Sequence, residues 1–145
     1  RKTQVIIIMH ANFHLSLPCF DLEKTKQFYV DVLGLPAGRS TSKWLDVNLF
    51  NHQVTFVTSE KFEFKAQNYL LEGNVLPLFH FGIILDETTW NAMYHKINHW
   101  TEGTTNKKTF LKDKNGAHQS FFVKDPNNYT VEFKTFVEKD SIFLV

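Results

Sequence analysis

Two histidines and one glutamate lie in stretches of this sequence that are typical of β-strands. His14 lies in FHLSL (13–17), His80 lies in FHFGI (79–83), and Glu132 lies in the C-terminal stretch SFFVKDPNNYTVEFKTF (120–136). Two neutral imidazoles and one carboxylate form a facial triad, which holds a divalent metal and leaves coordination positions open. A closed structural zinc site usually has a fourth protein ligand, commonly cysteine. The three residues therefore favour a catalytic metal site, if the fold brings them together.

The elements that would position these residues occur twice along the chain. The two Phe-His stretches are followed by Asp21 and Asp86, which suit helix N-caps. A run with apolar residues at helical spacing follows each aspartate, and Gly34 and Gly103 are stop signals for these helices. Three strand-like stretches then follow each helix: 37–42, 44–49 and 53–58 in the first half, and 109–113, 119–124 and 129–136 in the second.

This order predicts an α+β fold with two tandem βαβββ modules, which form a curled mixed sheet around a shared cavity. One module alone would leave a sheet face uncovered, so two modules should pair. We expect a single domain over residues 10–136, with module one at about 10–58, a linker at 59–76 and module two at about 77–136. Residues 1–9 would be an extension, and residues 137–145 a C-terminal tail.

Side chains along a strand alternate between two faces, which predicts where the polar residues lie. The apolar face should pack on the helices, with a core that includes Phe13, Leu15, Phe28, Phe79, Phe81, Val131 and Phe133. His14, His80 and Glu132 would then share the helix-free face. Each alone is compatible with a solvated residue on an open sheet face. The recurrence of histidine at the same position of both modules favours a common site.

Composition argues against several classes of partner. The formal net charge of +1 gives no electrostatic case for binding nucleic acid or an anionic membrane. The longest apolar run, VIIIM (5–9), is far too short to span a membrane. Cys19 is the only cysteine, so no intrachain disulfide is possible, and we expect it to be a small buried residue. We expect a cytoplasmic location.

The same stretches resemble a known family. FHLSLPCFDLEKTKQFYVDVLGL (13–35), HFGIIL (80–85) and FFVKDPNNYTVEFKTF (121–136) are similar to the vicinal oxygen chelate superfamily, which groups glyoxalases, extradiol dioxygenases, fosfomycin-modifying enzymes and bleomycin-resistance proteins. GRS (38–40), WLD (44–46) and FNHQ (50–53) resemble a group of glyoxalase-like predicted dioxygenases. The resemblance implies that His14, His80 and Glu132 bind a divalent metal, either Fe(II), Mn(II), Zn(II) or Ni(II).

Some positions depart from the family pattern. Aligning HQVTF (52–56) with NYTVE (128–132) places Phe56 opposite Glu132, where glyoxalase I enzymes carry a carboxylate. This argues against glyoxalase I activity. The extradiol signature implies a tyrosine where this chain has Phe122, and a histidine further upstream than His118. Ring cleavage by the ordinary extradiol mechanism is therefore in question.

We predict a metal-dependent enzyme, extradiol-dioxygenase-like, whose small-molecule substrate chelates the metal through two adjacent oxygens. A glyoxalase-like isomerase or lyase and a metal-free, antibiotic-type binding protein are the alternatives. His52 is a candidate acid–base residue. The candidate substrate contacts are Arg39, Phe56, His118 and Phe122. Whether the modules pair within one chain or in a homodimer stays open.

Overall fold

The computed structural model describes residues 10–98 and 106–144, and it confirms the two βαβββ modules. Module one contains β1 (His14–Cys19), α1 (Leu22–Lys26), β2 (Ala37–Ser40), β3 (Trp44–Leu49) and β4 (His52–Thr58). A hairpin of β5 (Asn68–Leu71) and β6 (Asn74–Pro77) follows. Module two contains β7 (Phe81–Ile84), α2 (Glu87–Ile97), β8 (Lys108–Phe110), β9 (His118–Lys124) and β10 (Thr130–Phe136). A 3₁₀ helix, Lys139–Phe143, ends the described chain.

Each module forms a four-stranded mixed sheet with the same topology. The strand orders are β1-β4-β3-β2 and β7-β10-β9-β8. In both sheets the first strand pairs in parallel with the last strand, and the remaining pairs are antiparallel. In sheet two, β10, which carries Glu132, is therefore the direct neighbour of β7, which His80 immediately precedes.

Both helices begin at the predicted aspartates. The Asp21 carboxylate accepts a hydrogen bond from the Lys24 backbone N–H, and the Asp86 carboxylate accepts one from Thr89. Helix α1 continues as a π-helical turn over Gln27–Val32. Gly103, predicted to stop the second helix, lies outside the described residues. No helix in the described ranges is long and apolar enough to cross a membrane.

One hydrophobic core runs through both modules on the helix side of the sheets. Phe28, Val131 and Phe133 are fully buried as predicted. Leu15 and Phe81 are partly buried and pack against this core. The prediction is wrong for Phe13, which is 61% exposed, and for Phe79, which is 38% exposed. Both precede their strands, where the alternation of the sheet does not yet constrain the side chain.

A buried polar network joins the turn D-P-N-N (125–128) of module two to module one. Tyr29 Oη donates to Asp125 Oδ2 at 2.8 Å, and Asn127 Nδ2 donates to Thr25 Oγ1 at 3.1 Å. Tyr129 Oη donates to the Pro18 carbonyl at 2.6 Å. Because buried polar groups are costly unless they are paired, these bonds fix how the modules dock. They also fix the turn that leads into β10 and Glu132.

The segment predicted as a linker, residues 59–76, contains nearly all of the β5–β6 hairpin, which ends at Pro77. Its two-residue turn has Glu72 and Gly73 at positive φ, the conformation of a tight hairpin turn. The Glu72 carboxylate accepts hydrogen bonds from the Leu111 N–H at 3.1 and 3.3 Å. Leu76 packs beside Phe110 and Phe122 in a small second core. The hairpin therefore covers part of the open face of module two.

Candidate functional site

Glu132 is a buried carboxylate on the face of β10 that points away from the helices. Its neighbours Val131 and Phe133 are fully buried in the main core, and Glu132 itself is only 7% exposed. Ser120 Oγ donates to Oε1 at 3.0 Å, and Lys134 Nζ lies 3.4 Å from the same oxygen. The carboxylate is thus held on one side, while Oε2 faces a different partner.

That partner is His80, whose Nε2 lies 3.3 Å from Glu132 Oε2. The other ring nitrogen, Nδ1, lies 3.0 Å from the Pro77 carbonyl oxygen. A carbonyl can only accept, so Nδ1 carries a hydrogen and the neutral ring directs the Nε2 lone pair at the carboxylate. Two acceptors at this distance need a cation between them, either a proton or a metal ion.

The electrostatics of the pair agree with this geometry. The hydrogen bond to Glu132 raises the pKa of His80 above its usual value, and this outweighs the opposing effect of burial. Burial pushes the pKa of Glu132 upward, but the hydrogen bond from His80 and the charge of Lys134 outweigh it and leave that pKa lowered. Both pKa shifts favour a proton shared between His80 and Glu132 when no metal is bound.

Gly82 allows β7 to lie close to β10 at Glu132, because it has no side chain. It lies beside Glu132 in the parallel pairing of β7 with β10. A Cβ atom at this position would lie 1.7 Å from the Glu132 carbonyl oxygen.

A cavity of about 200 Å³ lies against these residues and is lined by His80, Phe81, Gly82, Ile83, Ile84, Glu132 and Lys134. A second cavity of about 300 Å³ between the modules is largely apolar and is lined in part by Phe13, Leu15 and Phe81.

The structure does not bring His14 to this pair. His14 begins β1, is exposed, and pairs with Gln53 of β4 in module one. Within residues 10–98 and 106–144, no group of three or more His, Cys, Asp or Glu side chains could hold a metal ion. One chain therefore presents two of the three predicted ligands together. The third lies on the open face of the other module.

The strand register corrects the alignment of the two halves. Ser16 pairs with Thr55 in sheet one, as Gly82 pairs with Glu132 in sheet two. Because His14 and His80 precede Ser16 and Gly82 by two residues, Thr55 is the counterpart of Glu132. The alignment that places Phe56 there is wrong by one residue. The position still lacks a carboxylate, so the argument against glyoxalase I activity now rests on Thr55.

The candidate substrate contacts on module two and in the core lie in different surroundings. Phe56, predicted to contact substrate, is fully buried and packs against the Tyr29 ring in the core. The His118 ring lies between Phe110 and Phe136, and its Nδ1 bonds the Gly116 carbonyl. Phe122 is buried and presents its ring edge-to-face to His80 at 6.1 Å.

The other two candidates, Arg39 and His52, line a cavity on module one together with a residue that the sequence reasoning missed. This residue is Asp46, which is buried on β3 directly beside Thr55. The sequence contained a signal for Asp46, since it lies between the apolar residues Leu45 and Val47 on a predicted strand and must therefore point to the opposite, helix-free face. Ser120 and Lys134, missed in module two, flank Glu132 on neighbouring strand positions.

Sequence and structure comparisons place this fold among known proteins. The Glyoxalase/Bleomycin resistance protein/Dioxygenase superfamily matches residues 12–133, nearly the whole chain, so the protein belongs to this superfamily. No match is found among curated protein sequences.

Solved structures of several members share the fold. A glyoxalase/bleomycin resistance protein/dioxygenase from Alicyclobacillus acidocaldarius has a TM-score of 0.77 at 22% identity, covering 92% of this chain and 96% of its own. The fosfomycin resistance protein FosX from Listeria monocytogenes has a TM-score of 0.63 at 13% identity, covering 92% and 98%. A lactoylglutathione lyase from Agrobacterium tumefaciens has a TM-score of 0.64 at 16% identity, covering 89% and 96%. At these identities the likeness establishes the fold alone.

Proposed function

We propose that the protein is a metal-dependent enzyme acting on a small substrate that binds a divalent metal through two adjacent oxygens. The observation that carries this proposal is the 3.3 Å approach of His80 Nε2 to Glu132 Oε2. The Pro77 carbonyl fixes the His80 tautomer, and bonds of this kind orient metal-binding histidines. The donor set thus fits Fe(II), Mn(II), Zn(II) or Ni(II), with His80 and Glu132 as two ligands.

We propose His14 as the third ligand, supplied by a second copy of the chain. In one chain His14 lies on the open face of module one, whereas His80 and Glu132 lie on that of module two. The polar network of Tyr29 and Asp125 holds the two modules in place within the chain. Pairing module one of one copy with module two of another would bring the three residues together without breaking this network. The proposed enzyme is therefore a homodimer.

The residues of the proposed site have different roles toward the metal and the substrate. A metal bound there would polarise the two substrate oxygens, and Fe(II) would add the redox chemistry of ring cleavage. Ser120 and Lys134 hold Glu132 Oε1, and Oε2, which faces His80 Nε2, would bind the metal together with that nitrogen. Lys134 also places an ammonium group at the same cavity, where it can stabilise negative charge on a substrate oxygen.

Among reactions, we propose extradiol-like cleavage ahead of a glyoxalase-like isomerase or lyase step. Two histidines and one carboxylate form the triad of non-haem Fe(II) oxygenases, and the counterpart position in module one holds the hydroxyl of Thr55. A cytoplasmic location is part of the proposal, since Cys19 is a free, buried thiol.

The test is oxygen uptake with catechol and substituted catechols by protein reconstituted anaerobically with Fe(II). The same preparation, and one loaded with Zn(II) or Ni(II), is assayed for isomerisation of the hemithioacetal of methylglyoxal and glutathione. Oxygen uptake that is lost in Glu132→Gln supports the dioxygenase. Isomerisation without oxygen uptake replaces it with the glyoxalase-like alternative.

A metal-free binding protein is the second candidate, and one contact favours it. Lys134 Nζ lies 3.4 Å from Glu132 Oε1, so an ammonium group already neutralises the carboxylate. The apolar cavity of about 300 Å³ between the modules would then hold the ligand. Absence of any metal-dependent rise in melting temperature, in protein purified without chelators, would move this candidate ahead.

A further inference from the structure

The largest of the cavities described here lies on module one, away from His80 and Glu132. Its volume is about 560 Å³, within the usual size range for small-molecule sites. It opens beside β3 and the β3–β4 turn, and most of the residues that line it have polar side chains, among them Arg39, Asp46, His52 and Gln53. Such a concentration of hydrogen-bonding side chains is not needed to cover the core beneath it.

Asp46 forms the floor of this cavity and is 5% exposed. Thr55 Oγ1 donates to Oδ1 at 2.7 Å, and Gln53 Nε2 donates to Oδ2 at 3.1 Å. Arg39 Nε lies 3.4 Å from the same Oδ2. The Asp46 oxygens are therefore occupied by protein donors, and the carboxylate acts on a ligand only through the residues it holds.

Arg39 is the cation that Asp46 positions. Its guanidinium also stacks over the Trp44 ring, with 5.5 Å from Cζ to the centroid. The side chain is 79% exposed, and in the described part of the chain its terminal Nη atoms have no hydrogen-bond partner. A guanidinium held by its Nε, with both Nη groups free, presents the parallel donors that match a carboxylate.

His52 supplies a further donor of fixed direction. Its Nδ1 accepts the Phe13 backbone N–H at 2.9 Å, so the neutral ring carries its hydrogen on Nε2. Among the described residues that line the cavity, Asp46 is the only acidic one and Arg39 is the only one with a permanent positive charge. One guanidinium matches one carboxylate, so a ligand group with a single negative charge suits the site better than a doubly charged phosphate.

We propose that this cavity binds the carboxylate group of a small organic acid, through Arg39 and His52, with Asp46 as the positioning residue. Asp46 and Thr55 share the open face of module one with His14, so in the proposed homodimer this cavity would adjoin the metal site. Binding of the carboxylate itself requires no metal, so its failure and the failure of the proposed reaction are distinguishable. In module two the position equivalent to Asp46 is Phe122, because these residues pair with Thr55 and Glu132 respectively. The carboxylate site is thus a property of module one alone.

The experiment is a titration of chelator-treated, ¹⁵N-labelled full chain with benzoate, followed by NMR at the Arg39 Nε–H, the Gln53 amide and the Trp44 indole. Benzamide is the neutral probe of the same shape, and inorganic phosphate is the dianionic probe. We expect saturable shifts with benzoate, and binding at least about tenfold weaker for benzamide, because a hydrogen bond to a charged group is lost.

Arg39→Gln should weaken benzoate binding by about tenfold or more, whereas Lys43→Gln, which removes an exposed charge from the neighbouring turn, should not. Asp46→Asn should weaken binding and also shift the Arg39 Nε–H signal before any ligand is added. If Asp46→Asn does not fold, Thr55→Val removes one of the groups that hold Asp46. Absence of saturable shifts, equal binding by Arg39→Gln, or tighter binding of phosphate than benzoate would each overturn the proposal.

Discussion

His80 Nε2 lies 3.3 Å from Glu132 Oε2, although His80 precedes β7, Glu132 lies in β10, and most of module two separates them in sequence. The parallel pairing of β7 with β10 sets this distance, since Gly82 lies directly beside Glu132. The carboxylate is buried, and the histidine has its second nitrogen bonded to a backbone carbonyl.

Glu132→Gln should abolish most metal-dependent stabilisation. The variant keeps the size of the side chain but removes the anionic ligand, and even the loss of an outer partner costs roughly 10–100-fold in metal affinity. Melting temperatures are measured with and without Fe(II), Mn(II), Ni(II) or Zn(II), for wild type, Glu132→Gln, His80→Ala and His14→Ala. His95→Ala, on the surface of α2, is the control for adventitious binding to histidine. A shift that survives in all three ligand variants contradicts the proposed site.

Gly82→Ala should disturb the site from the neighbouring strand. The new Cβ would lie 1.7 Å from the Glu132 carbonyl oxygen, so β7 must move away from β10. We expect a loss of about 1–3 kcal/mol in unfolding free energy, as for other overpacked positions, together with a weaker metal-dependent shift. Gly73→Ala is the matched control, since nothing lies within 4 Å of its Cβ and only its positive φ is strained. Equal metal response in the two variants would show that Gly82 does not position Glu132.

Phe122→Tyr should restore the hydroxyl that the extradiol pattern implies. The Phe122 ring lies edge-to-face to His80 at 6.1 Å, so a hydroxyl on it would lie in the same region as the proposed metal site. We expect the Fe(II)-loaded variant to gain oxygen uptake with catechol over wild type. Phe110→Tyr, in the same small core, is the control. An active wild type that Phe122→Tyr leaves unchanged would mean that another donor does this work, with Lys134 the first to test.

Asp125→Ala should loosen the docking of the modules. Its carboxylate accepts bonds from Tyr29 Oη and from the backbone N–H groups of Asn127 and Tyr129, all at 2.8 Å. Leaving buried donors unpaired costs about 1–3 kcal/mol each, so the variant should lose about 3 kcal/mol or more. Tyr29→Phe removes a single bond and should lose about 1 kcal/mol. Urea unfolding at pH 7 compares them, and equal losses would contradict this account of the network.

Asp86→Ala should destabilise the protein in a pH-dependent way. The backbone N–H of Thr89 holds the pKa of Asp86 below its usual value of 3.8. A lowered pKa in the folded state means that the carboxylate stabilises the fold above pH 3.8, and that this contribution is lost as the pH falls through the folded value. The gap in melting temperature between wild type and Asp86→Ala should therefore narrow below pH 3.8. Asp86→Asn, which keeps a neutral cap, is the control, and a gap that stays constant down to pH 2 rules the effect out.

Strand alternation predicted much of the fold and the face of each polar residue, because period two is a strong local signal. It placed Glu132 opposite Val131 and Phe133, and the structure agrees. The alignment of the last strand of module one with that of module two was wrong by one residue. Because a shift of one residue moves every side chain to the other sheet face, it paired Glu132 with the core residue Phe56 and not with Thr55 on the open face. The sequence does not predict the β5–β6 hairpin, because its turn, Glu72-Gly73, has the glycine but lacks the Asn or Asp that usually precedes it. Alternation also says nothing about which open face meets which, so the grouping of His14 with Glu132 could not follow from sequence.

The buried polar network between the modules also affects the order in which the chain folds. The strand pairs of each sheet lie within one module. The hydrogen bond from Asn127 to Thr25, in contrast, joins residues 102 positions apart. Closing such a long loop is slow relative to forming local contacts. The sheet of each module should therefore form first, and the buried polar network between the modules should form in a late step. Because the turn at Asp125 directly precedes β10, the ordering of Glu132 would be completed only in that late step.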